Sequence, residues 1–184
     1  MATKRSGNRR RTKAELMLTA LHEACHAVLA VIDQVPIGEV TIECAGDTLG
    51  SADVRNVLGG DYLEGRNLQS MLRVRIRGLL AGEVAERIHD PRIEQSLGCQ
   101  DRNLVDAAIA QIPPAGASFV GDEHCDAYVE RLRKQVDSLL RREWLAVSGL
   151  AEWLLKRKTV SGEDAERMVI SSLSLPLAAK LSRE

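Results

Sequence analysis

Residues 22–26 read His-Glu-Ala-Cys-His, a set of residue types whose spacing suits metal chemistry. On a helix, His22 and His26 stand at i and i+4, one above the other on a single face. Two imidazoles so placed can bind one Zn²⁺, and Glu23, one residue round the helix, can reach a water at that metal. The chemistry predicted is metal-assisted hydrolysis with Glu23 as general base. A hydrolytic zinc takes three protein ligands and keeps a fourth position open. A glycine and a third histidine three and six residues past His26 would be one solution, but Leu29 and Ile32 occupy those places. A glutamate from a later helix, Glu83 or Glu86, is a second source, and Asp101, at the expected start of a helix after Gly98, is a third.

The elements that must position these residues can be read from periodicity and caps. Thr12-Lys13-Ala14-Glu15 is a capping-box pattern that opens a helix running to about Gln34. Leu18, Leu21, Cys25, Leu29 and Ile32 form its expected buried stripe, with His22 and His26 at the edge of the core. Val35-Pro36 ends it. Glu39–Cys44 alternates with period two as a strand, Ala45-Gly46-Asp47 makes a turn, and Leu49–Val54 is the return strand. Helical periods follow over Asn67–Ile88, stopped by Asp90-Pro91, and from near Asp101 to Pro113-Pro114, the latter carrying Leu104, Val105, Ala108 and Ile109 inward. Three more helices span Asp122–Leu140, Glu143–Lys156 and, capped by Ser161, a segment to about Ser172. The expected fold is mostly α, a helical zinc-metallopeptidase domain with one small β-sheet or hairpin and a C-terminal helical bundle. It divides into a flexible basic arm (1–11), one domain (12–175) and a tail (176–184).

Composition narrows the class. The chain is 45% hydrophobic and 28% charged, which fits a globular protein. Its five aromatics leave Leu, Val, Ile and Ala to build the core, with Trp144 and Trp153 as packing anchors. Residues 1–13 hold six of the 25 basic residues and no acidic one, so the rest sets 19 basic against 26 acidic residues. The arm (Lys4, Arg5, Arg9, Arg10, Arg11, Lys13) is the only hint of nucleic acid, and the acidic body argues against it. Arg73, Arg75 and Arg77 read as a solvated helix face, His89 and His124 as surface residues, and Cys99 as a small packing residue. The apolar run around the pentad is interrupted by His26 and ends at Asp33, short of the ~20 residues a membrane span needs. Without an apolar leader, and with Cys25, Cys44, Cys99 and Cys125 lacking C-x-x-C spacing, a soluble cytoplasmic protein with reduced thiols is expected.

Several segments together resemble the peptidase domain of FtsH-type ATP-dependent zinc proteases. Leu21–Val28 is similar to that family's His-Glu-Ala-Gly-His-Ala segment, and Val40-Thr41-Ile42 with Leu49-Gly50 to its strand and return. Leu80–Glu86 resembles its Leu-Gly-Gly-x-x-Ala-Glu helix, Ser96–Asp101 its Gly-rich loop, and Leu150–Glu163 its closing helices. The similarity runs in order over roughly residues 14–170, departing at Cys25, where the family has Gly, and in a Gly98-to-Asp101 spacing one residue shorter. The resemblance implies a zinc endopeptidase with Asp101 as third ligand, and a sheet edge around Asp47–Val54 that binds an extended protein or peptide substrate by strand addition. The chain holds no G-x-x-x-x-G-K-[ST] loop. The expectation is thus a peptidase domain that is ATP-independent in itself, cleaving flexible segments unless a separate ATPase or adaptor delivers substrate. The alternative is a catalytically weak or inactive metal-binding regulatory domain of the same fold.

Overall fold

The capping box at the N-terminal end forms as expected: the Glu15 N–H donates to Thr12 Oγ1 at 3.2 Å, and the Thr12 N–H donates to the Glu15 carboxylate at 2.7 Å. It opens α1, Lys13–Ile32, in a computed structural model that describes residues 11–45, 49–54, 68–93, 99–109 and 125–174. From Thr19 to Val31, every residue of α1 except His26 is buried. This corrects the one-sided stripe: Leu18 and Ile32 are only half-buried, while the middle of the helix is enclosed all round, as an apolar helix at the centre of a core must be. The same helix, at 20 residues, is long and apolar enough to cross a membrane, contrary to the shorter run expected, and 67% of its most apolar window is buried inside the fold.

Asp33 caps α1, and Gln34 at φ 56° turns the chain into β1, Ile37–Thr41. β1 is the middle strand of a three-stranded antiparallel sheet, with β2 (Ser51–Val54) on one side and β3 (Thr159–Val160) on the other. Val40 stands opposite both Ala52 and Val160. The strands form the expected hairpin with other bounds: β1 begins two residues before Glu39 and ends three before Cys44, and β2 begins two residues after Leu49. β3 was not expected, because two residues are too few for alternation to register.

Four of the remaining helices agree with the sequence reading to within a few residues: α2 (Leu68–His89), α3 (Cys99–Ile109), α4 (Cys125–Arg142) and α5 (Trp144–Arg157). Ser161 caps the last, α6 (Gly162–Ser172), its hydroxyl accepting from the Asp164 N–H at 3.2 Å. α1, α2, α5, α6, the C-terminal half of α4 and the sheet enclose the main core, against which Trp144 and Trp153 pack half-buried. A second cluster joins α2, α3 and α4 through Leu72, Ile76, Leu80, Val105, Ala108 and Leu132. On α3, Val105 and Ala108 form the inner face and leave Leu104 42% exposed, against expectation. Arg77 is not part of a solvated face either: it pairs with Asp33 at 3.2 Å, tying α2 to the end of α1. Arg11 is likewise engaged, donating to the carbonyls of Ile42 and Leu49. Residues 1–10, the turn at Gly46-Asp47, Gly98, Pro113-Pro114, Asp122–His124, the Cys99 side chain and the tail 176–184 lie outside the described residues.

Candidate metal centre

The face of α1 bearing the two histidines packs against α2, and α2 is shaped to receive it. Gly78, Gly82 and Glu86 recur every fourth residue, so they line one face of that helix. A Cβ on Gly82 would lie 2.2–2.5 Å from three ring atoms of His22; only glycine allows the ring to lie so close. The Gly78 carbonyl, 2.9 Å from His26 Nδ1, can only accept, so that nitrogen carries the proton. Glu86 Oε1 is 2.6 Å from His22 Nδ1 and wholly buried, and a carboxylate there holds the proton on that nitrogen in the same way.

With both Nδ1 atoms used as donors, both Nε2 atoms present lone pairs, and these face each other at 3.1 Å. Asp101 Oδ2 completes a triangle, 3.1 Å from His22 Nε2 and 3.4 Å from His26 Nε2. Asp101 is in the first turn of α3, one turn before Val105, which anchors that helix on α2. Three acceptors this close repel unless a positive charge lies among them. Ligands at ordinary zinc–nitrogen and zinc–oxygen lengths on a tetrahedron stand about 3.3 Å apart, so the donor set and its spacing fit a tetrahedral metal. His22, His26 and Asp101 can hold a metal ion.

A proton can supply that positive charge as well as a metal can. Burial opposes charge on His22, but its hydrogen bonds to Asp101 and Glu86 and the nearby charges of Glu23 and Glu86 outweigh burial and push its pKa up to about 10. Burial also opposes charge on Asp101, yet its contacts with both histidines hold it well below the usual carboxylate range. Glu23 is pushed up, chiefly by burial, against the lowering effect of His26 and His22. Its carboxylate accepts the Ala52 N–H of β2, and a Cβ on Gly50 would crowd Glu23 Cγ at 3.0 Å. Side-chain exposure rises from 8% at His22 to 12% at His26 and 24% at Asp101, so the centre opens towards α3.

No family model matches the chain, and a search of curated proteins finds no significant relative.

The structure therefore brings together the two histidines of the pentad and Asp101. Glu86 comes close as well, but against the far nitrogen of His22. Glu83 is held elsewhere, by Arg133 at 3.0 Å and Arg87 at 3.5 Å. Gly78 and Gly82 were not singled out from sequence as site residues. A four-residue glycine spacing inside a long helix was the available signal, since each glycine costs a helix interior roughly 0.5–1 kcal/mol.

Proposed function

We propose that the protein is a zinc-dependent endopeptidase of FtsH-like type that hydrolyses peptide bonds in flexible protein segments and is ATP-independent in itself. The observation that carries this reading is the convergence of His22 Nε2, His26 Nε2 and Asp101 Oδ2 within 3.4 Å of one another, with both distal ring nitrogens already engaged. His22, His26 and Asp101 would hold Zn²⁺ through one atom each, and Glu86 and Gly78 would fix the rings. Zinc bound there supplies Lewis acidity, which activates water and polarises the scissile carbonyl. Glu23, one residue from His22, takes the proton of the attacking water and returns it to the leaving amine. Burial raises its pKa above the ordinary carboxylate value, which makes it a stronger base than an exposed glutamate. β2 lies at an edge of the sheet, which supports the docking of an extended peptide alongside it.

One observation favours a second reading, a metal-binding regulatory domain without turnover. Glu23 is buried under Gly50 and held by the Ala52 N–H, so water must reach it past β2. Metal analysis with a casein-cleavage assay on wild type and Glu23→Gln separates the two. A peptidase requires chelator-sensitive cleavage by wild type, and a Gln variant that keeps its zinc but loses about 10²–10⁴-fold in rate. Equal turnover by the variant removes Glu23 as base, and zinc-loaded wild type without cleavage favours the regulatory reading.

A further inference from the structure

Beside the metal centre, α2, α3 and α4 enclose a cleft of about 450 Å³ that has Asp101 in its wall. Leu79, Leu80, Val105, Ile109 and Val129 give it an apolar lining, Glu83 is half-buried within it, and the exposed Asp106, Asp126 and Glu130 carry acidic charge to the solvent side. Among the described residues the lining cation is Arg133, whose guanidinium is taken by Glu83 at 3.0 Å and Glu130 at 2.6 Å. Asp106 and Asp126 make no ion pair among the described residues. The volume lies in the range of ligand pockets, and low-dielectric walls under a rim of one sign concentrate the field at the mouth.

We infer that this cleft is a specificity pocket for a lysine or arginine side chain of a peptide substrate, seated next to the scissile bond. A long methylene stem covers the apolar floor, and the cationic head reaches Asp106 and Asp126, the division of apolar body and polar tip that these side chains favour. An acidic side chain meets like charge, and a purely apolar one leaves the two carboxylates without a partner. The inference rests on the peptidase reading for the chemistry, but recognition by the cleft can be measured without turnover.

The test uses zinc-loaded Glu23→Gln protein and three dye-labelled Ala/Gly peptides that differ only in a central lysine, norleucine or glutamate. Anisotropy titration should show the lysine peptide binding about tenfold more tightly than the norleucine peptide, the sum of two modest ion pairs. The glutamate peptide should bind most weakly, and raised salt should shrink the difference. In an added Asp106→Asn/Asp126→Asn background, the lysine preference should collapse towards parity. Equal affinity for lysine and norleucine, no binding by any peptide, or a preference that survives the double substitution overturns the inference. If the protein discriminates among the peptides while wild type cleaves none, the cleft assignment stands and the peptidase reading falls.

Discussion

Glu143 and Glu86 are the most deeply enclosed carboxylates among the described residues, and they end in different places. Glu143, 2% exposed at the junction of α4 and α5, accepts from the Ser174 N–H at 2.8 Å, the Ser174 hydroxyl at 2.7 Å and Arg142 Nε at 2.8 Å. These donors tie the chain after α6 to the α4–α5 corner, and the network closes within the fold. Glu86 is as deeply buried, but its bond runs to His22 Nδ1 and onward to Nε2, which faces two further acceptors. Burial of a charged residue is thus a poor marker of function by itself. What separates the two regions is whether the hydrogen-bond chain terminates on groups already satisfied, or on a gap that a proton or a metal cation can fill.

The largest effect expected from breaking this contrast belongs to Gly82. Gly82→Ala drives a methyl into the His22 ring, within 2.5 Å of both ring nitrogens, and overpacking of this kind costs about 1–3 kcal/mol. The ring must move, and zinc binding should be lost outright in metal analysis. Gly78→Ala is the control one turn away, because nothing lies within 4 Å of its added Cβ; it should keep zinc. Next in size is Glu86→Ala, which leaves His22 Nε2 in reach of the proposed metal but removes the partner that orients the ring. Zinc affinity should fall about 10–100-fold in a competition titration with a chromogenic chelator. Unchanged affinity would make Glu86 a packing group like Glu143 and erase the distinction.

How much of this was legible in the sequence follows the range of the forces involved. The caps at Thr12 and Ser161 were readable because a cap is made by residues three apart. The histidine pair was readable for the same reason, whereas position alone left Asp101 level with Glu83 and Glu86, and only the family resemblance put it first. Glu86 was in view as a carboxylate near the site, but which nitrogen of His22 it meets depends on how α2 packs on α1. The all-round burial of α1, the pairing of Arg77 with Asp33 and the outward turn of Leu104 have the same origin. Each depends on neighbours distant in sequence that periodicity cannot locate. β3 exists only because Thr159–Val160 reaches β1 across more than a hundred residues.

The smallest effect sharpens the comparison from the other side. Burial raises the pKa of Glu143, but the hydrogen bonds from Ser174 and Arg142 outweigh it and leave the carboxyl below its ordinary value of 4.5. A folded-state pKa below the unfolded one means that the ionised form stabilises the fold. That contribution is complete above about pH 4.5 and is lost as pH falls through the lower, folded value. Glu143→Gln should therefore cost about 1–2 kcal/mol near neutral pH, read as a shift in the urea midpoint. The gap between wild type and variant should close on acidification below that value. Zinc affinity at pH 7 should not change, because none of the partners of Glu143 reaches the histidines. A Gln variant with weakened zinc binding would show that the two enclosed carboxylates are coupled through α5 and α1 rather than independent.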